Sequence, residues 1–147
     1  MSADQLDAFT RFFDSARLIE AALSRHLLAE HNMALGDYEV LVHLDGADGA
    51  LRLTELADRC VSPRSTISQT LVRLEDRGWI RREKAVGDAR GALAHLLPAG
   101  DEALAAAAPK HAEIIKRHLL DCWSAAELAV IGRAMDASAE RLRELRP

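Results

Sequence analysis

Residues 53–97 constrain the fold of this chain more than any other stretch. Leu56, Ala57 and Cys60 make the apolar side of a short helix, with Thr54 expected as its N-cap. Ser62 is expected to cap a second helix. Pro63 suits the first helical position, where a missing N–H costs nothing. Ile67, Leu71 and Leu74 follow at helical spacing, and Gly78 stops the pattern. Trp79-Ile80 and residues 93–97 read as two short strands, with Gly87-Asp88-Ala89-Arg90-Gly91 as the turn between them. The order is helix, turn, helix, hairpin. Aromatic residues make up only 4% of the chain while Ala and Leu dominate, a balance that favours helices over sheets elsewhere.

Charge singles out the same stretch. Residues 59–90 carry eight basic side chains (Arg59, Arg64, Arg73, Arg77, Arg81, Arg82, Lys84, Arg90) against four acidic ones, whereas the whole chain has a net charge of −4. A basic patch on an acidic body is the footprint of a polyanion-binding surface, and double-stranded DNA is the expected partner. With Ile67 set inward and 100° per residue, Leu71 and Leu74 stay inward. Ser65, Gln69, Val72 and Asp76 then point out, flanked by Thr66, Ser68 and Arg73. Arg64, Ser65, Ser68 and Gln69 are therefore expected to read base edges. Ser62, Thr66, Arg73, Arg82 and Lys84 are expected to hold phosphates, helped by the donors at the helix N-terminus. Arg90 is expected to enter a minor groove, with Asp88 two residues earlier holding its guanidinium in one orientation. Beside DNA contact, a solvated surface pair with Glu75 or Asp76 stays open for Arg77, and an edge-strand charge that blocks aggregation stays open for Arg81.

The ends of the chain read differently. Leu6, Phe9, Phe13, Ala16, Ile19, Leu23 and Leu27 form one apolar stripe on a long helix over residues 4–30. A second helix follows Gly36-Asp37 with Tyr38, Leu41 and Leu44 inward, and Gly46-Ala47-Asp48-Gly49 breaks it. A fifth helix is expected from Pro98 to about residue 121, kinked at Pro109. Ser124-Ala125-Ala126-Glu127 is a capping box opening the last helix, where Leu128, Ile131, Met135, Ser138, Leu142 and Leu145 repeat at coiled-coil spacing. So small a domain cannot bury these stripes alone, and a homodimer is the economical expectation; the alternative is a monomer whose terminal helices pack on each other.

Taken together, Leu53-Thr54-Glu55-Leu56-Ala57, Ser65-Thr66-Ile67-Ser68, Arg73-Leu74-Glu75, Gly78, Arg82, Asp88-x-Arg90 and Leu96-x-Pro98-Ala99-Gly100 resemble the MarR family of bacterial winged-helix regulators. The likeness covers residues 51–100. It implies a mainly α fold: a winged helix-turn-helix core with a small β-hairpin wing, flanked by long N- and C-terminal dimerisation helices. Residues 1–147 are then a single domain, with 33–98 binding DNA and 1–32 and 99–147 forming the helical dimerisation region. It also implies a recognition helix at residues 63–77 and a wing at 84–91. The implied function is a DNA-binding regulator, expected to be a repressor on a pseudo-palindromic operator. A small phenolic or lipophilic effector would release it. Phe12, Phe13, Tyr38 and His43 are candidate lining residues for that effector. Three positions depart from the family pattern: Val72 where an acidic residue is usual, Gln69 where arginine is common, and Leu97 in place of a capping Thr.

Other functions find less support. No G-x-S-x-G, P-loop, H-E-x-x-H or dinucleotide fingerprint is present, so no enzyme activity and no cofactor are expected. Cys60 reads as a small core residue. Cys122, beside Trp123, leaves open an intersubunit disulfide and with it a redox-responsive regulator. Glu39 and His43 share a helix face, as do His111 and His118, but no H-x3-H pair occurs and no metal site is assigned; a metal-responsive regulator stays as an alternative. A winged-helix protein-interaction module is the competing class. The N-terminus is not read as a signal peptide, no run approaches the ~18 apolar residues of a membrane span, and the expected compartment is the cytoplasm.

Overall fold

In a computed structural model of the chain, residues 1–84 and 92–145 are described. The elements are α1 (Ala3–His31), α2 (Leu35–Asp45), β1 (Ala50–Arg52), α3 (Leu53–Arg59), α4 (Arg64–Asp76), β2 (Ile80–Lys84), β3 (Ala92–Leu96), α5 (Pro98–His118), a 3-10 turn at Leu120–Cys122 and α6 (Ala125–Arg143). The fold is mainly α with one small antiparallel sheet, the winged helix-turn-helix expected from the sequence. It comprises two compact units, one formed by residues 20–111 and the other by residues 1–19 with 112–147.

The larger unit holds the core. Leu27 and Met33 at the end of α1, Val40, Leu41 and Leu44 of α2, Leu56 of α3 and Leu71 and Leu74 of α4 are all completely buried. The sheet order is β1-β3-β2, with Leu51 paired to Ala94 and Ile80 to Leu96. β1 is an addition to the sequence reading. Three residues are too short to show an alternation, yet Leu51 is buried in the middle of the strand while Arg52 faces solvent.

Helix ends follow local chemistry. Asn32 ends α1 in the left-handed region (φ 48°), its N–H donating to Leu28 O while Met33 N–H reaches Leu27 O. The N-cap of α3 is Arg52 rather than Thr54, because the Glu55 carboxylate accepts from the Arg52 backbone N–H at 3.0 Å. Ser62 likewise does not cap α4. Pro63 takes the extended N-cap conformation (φ −58°, ψ 143°), which puts Ser62 one residue outside the helix and makes Arg64 the first helical residue. The fifth helix ends at His118, before the 3-10 turn, short of the expected residue 121. Ser124 caps α6 through the reciprocal pair with Glu127, as its sequence signature requires. Gly100 has a steric reason: a Cβ there would collide with the Trp79 carbonyl, which already accepts from Leu97 N–H at 2.9 Å.

The smaller unit exposes its apolar side chains. Leu6, Phe9, Phe12 and Phe13 on α1, and Leu128, Val130, Met135 and Leu142 on α6, are all exposed, and α6 has no buried residue. Phe9 and Phe13 stack at 5.7 Å, and Arg17 lies over the Phe13 ring at 4.5 Å. Among the described residues, no helix is long and apolar enough to cross a membrane.

Candidate nucleic-acid interface

The inner face of α4 is fixed by packing. Ile67, Thr70, Leu71 and Leu74 are buried, and α4 packs on α3, α2 and β2. Its outer face carries Arg64, Ser65, Thr66 and Gln69, all exposed and with no side-chain hydrogen-bond partner among the described residues. Ser62 and Ser68 are half-buried at the margins. Val72 points to solvent and is 40% exposed, an apolar spot on the same outer face. The helical-wheel assignment is therefore the observed one. The turn into α4 passes through Val61, a β-branched residue in the left-handed region (φ 51°), a conformation such side chains tolerate poorly.

Two arginines assigned to phosphates have protein partners instead of free side chains. Arg73 Nη2 donates to Asp37 Oδ1 at 2.8 Å and to Thr70 Oγ1 at 3.0 Å. Asp37 is only 4% exposed, and its second oxygen accepts from Ala34 N–H at 3.3 Å, at the start of α2. One carboxylate thus caps α2 and pins α4 to it. Arg82 is held by Glu75, at the end of α4. Glu75 Oε1 accepts the Arg82 backbone N–H at 2.8 Å, and Oε2 accepts Nε at 2.7 Å. Those side-chain and backbone hydrogen bonds from Arg82 hold the Glu75 carboxyl below its usual pKa. Asp37 entered the sequence reading only as the start of the second helix and Glu75 only within Arg73-Leu74-Glu75, and neither was given a site role. An acidic residue at a helix start and an acidic residue following Arg73-Leu74 were the sequence signals for them.

The remaining basic residues divide. Arg77 is no surface ion pair with its neighbours. Its guanidinium lies 3.7 Å from the Trp79 ring centroid and Nη1 donates to Asn32 O at 2.6 Å, joining the end of α4 to the end of α1. Arg81 pairs with Glu83 at 3.3 Å on the exposed side of β2. Lys84 is the last residue of β2, and its side chain lies outside the described residues, as do Asp88 and Arg90. Cys60 is half-buried against the core, and burial followed by the Glu39 charge pushes its thiol up to about 11, which keeps it protonated and unreactive.

The MarR family profile matches residues 31–91, the segment containing this helix-turn-helix and hairpin. The solved structure of Sco3205 from Streptomyces coelicolor, a MarR family transcriptional regulator in complex with DNA, is 32% identical. It superposes with a TM-score of 0.90 over 97% of this chain and 89% of that one. The chain belongs to the MarR family of transcriptional regulators. AbsC, another family member from Streptomyces coelicolor, is 28% identical, with a TM-score of 0.90 over 98% of this chain and 97% of its own. The organohalide-sensing regulator RdhR-CbdbA1625, bound to 2,4-dichlorophenol, shares the fold at 17% identity, with a TM-score of 0.81 over 96% of this chain and 82% of that one. No curated protein matches the sequence. As a MarR family member the chain is a transcriptional regulator rather than an enzyme.

Proposed function

We propose that this MarR family protein is a homodimeric repressor that binds a pseudo-palindromic DNA operator and is released by a small phenolic or lipophilic effector. The observation that carries the DNA reading is the state of α4. Its inner face is locked to α2 and α3, while Arg64, Ser65, Thr66 and Gln69 stand exposed on its N-terminal half, without side-chain hydrogen-bond partners among the described residues. Such a face suits a major groove, where short hydroxyls, an amide and an arginine distinguish base edges. Arg64, Ser65, Ser68 and Gln69 read bases in this proposal, and Ser62, Thr66 and Lys84 contact phosphates. Asp88 and Arg90 form the minor-groove contact of the wing. Sco3205, solved with DNA, supports the reading.

Arg73 and Arg82 acquire an additional role. Each spends donors on a carboxylate of its own chain and thereby sets the pose of α4 and of the wing base. Among the described residues Arg82 retains Nη1 and the half-exposed Arg73 retains Nε and Nη1, so phosphate contacts through both remain part of the proposal. Residues 1–32 and 99–147 form the dimerisation region, placing two recognition helices about one turn of duplex apart, ~34 Å. The effector class follows the family resemblance, and the phenol held by RdhR-CbdbA1625 is an instance of it.

Selection from a random duplex pool at physiological salt tests the proposal. Recovery of a palindrome with half-sites about ten base pairs apart is the expected result. With that operator in hand, Gln69→Ala should relax the preference at one position of each half-site, costing about 1–3 kcal/mol against the consensus base. No selected motif, or an identical consensus from the Gln69→Ala protein, would overturn the base-reading assignment.

A further inference from the structure

We propose that the end of α1 carries a site for a divalent transition-metal ion of the Zn2+ type, built from His26, Glu30 and His31. One ligand atom from each residue lies within 4.8 Å of the others, with His26 buried, His31 half-buried and Glu30 exposed. The set joins a buried nitrogen to a solvent-facing carboxylate, so an ion can enter from the Glu30 side. Two imidazoles and a carboxylate are a donor set suited to a borderline ion, with a fourth position left for water.

His26 supplies the second, independent observation. The residue is only 7% exposed, yet neither ring nitrogen has a hydrogen-bond partner among the described residues. Its Nδ1 stands 3.2 Å from Glu30 Oε1, close but misaligned for a hydrogen bond. That separation is near the roughly 3.4 Å between two ligands of one tetrahedral ion with bonds of ~2.0–2.1 Å. The His31 ring stands edge-on to His26 at 5.4 Å between centroids, with its ligand nitrogen within 4.8 Å of the other two donors. An orphaned buried imidazole nitrogen is costly unless something satisfies it, and an ion on Nδ1 satisfies that one of the two.

The position favours a cation as well. The last turn of α1 presents its carbonyl ends to the Glu30 carboxylate, an unfavourable meeting of like charge that a bound ion reverses. The spacing explains why the sequence reading passed it over. A helical i, i+4, i+5 set is not an H-x3-H pair, and only the burial of His26 distinguishes it from surface histidines.

Calorimetric titration of the purified full chain with Zn2+ alone, in the absence of DNA, tests the site independently of the operator-binding proposal. One ion per chain is expected. Glu30→Ala and His31→Ala, both at accessible positions, should each weaken binding by about tenfold or more while circular dichroism stays unchanged. Co2+ should give the ligand-field bands of a four-coordinate nitrogen and oxygen site without a thiolate charge-transfer band. Absence of stoichiometric binding, unchanged affinity in both variants, or a thiolate band pointing to Cys60 or Cys122 would overturn the proposal.

Discussion

Asp37 shows how much one side chain can carry. It is nearly fully buried, accepts from the backbone at the start of α2 and holds Arg73 of α4 at 2.8 Å. Removing the carboxylate leaves the Ala34 N–H without its acceptor and Arg73 without its charge partner. Asp37→Ala should therefore destabilise the fold by about 2–3 kcal/mol, below the range for a fully buried pair because Arg73 is half exposed. Arg73→Ala should cost less, since the carboxylate keeps its backbone bond, and the double variant should cost less than the sum. Urea melts of the four proteins measure the coupling, and strict additivity would mean that the ion pair does not connect the two helices. This contact was not legible in the sequence. The inward set Ile67, Leu71 and Leu74 was legible because it repeats within one helix at 100° per residue. The Arg73 partner lies 36 residues away on another helix, a distance no local pattern reports. Gln69 and Ser65, by contrast, were correctly placed outward from the same wheel.

At the scale of elements, the joint between α4 and β2 depends on Glu75 and Arg82. A carboxyl held below its usual pKa in the folded state contributes stability that is complete above the unfolded value, about 4.3, and is lost as pH falls through the folded value. The stability difference between wild type and Glu75→Gln should thus be constant from neutrality down to about pH 5 and shrink below it. The pair is about a third exposed, so the difference at neutral pH should be about 1 kcal/mol or less. Denaturant melts of both proteins between pH 3 and 7 give the answer, and comparing variants cancels other titrations. Among those is His111, whose pKa burial and the neighbouring His26 lower. A difference that persists undiminished at pH 3 would assign the contribution to packing rather than to the ionised carboxylate. Elements also mark where sequence reasoning reached. Long helices announce themselves by period, and the Ser124–Glu127 box fixed the start of α6. The first hairpin strand, read as Trp79-Ile80, instead runs Ile80–Lys84, because two residues carry no period and the charged Arg81–Lys84 run hid the rest. β1 and the start of α4 escaped it, because a three-residue strand has no period and one extended proline shifts a helix by a residue.

At the scale of the whole molecule, the exposed apolar side chains call for a partner. Phe9 is 55% exposed and Leu142 61%, and they belong to stripes on α1 and α6 that run for several turns. Scattered exposed leucines are ordinary on any protein, but continuous stripes on two long helices are the mark of an interface. In the proposed homodimer a second copy of the chain would cover both stripes at once by a two-fold axis, the symmetry that the proposed pseudo-palindromic operator requires. Met135→Glu combined with Leu142→Glu would place four carboxylates in the seam of a dimer, where burial without partners is strongly unfavourable. Sedimentation equilibrium should give twice the 16.1 kDa chain mass for the wild type and the single-chain mass for the double variant. Residues 20–111 keep their own core, so the variant should retain helical circular dichroism. Its affinity for a two-half-site operator should fall steeply, while binding to an isolated half-site should change little. A wild-type protein that sediments as a single chain, or a double variant that remains a dimer, would move the interface away from these stripes. Equal loss of half-site binding would show that the carboxylates disturb the DNA-binding unit itself rather than the pairing of two such units.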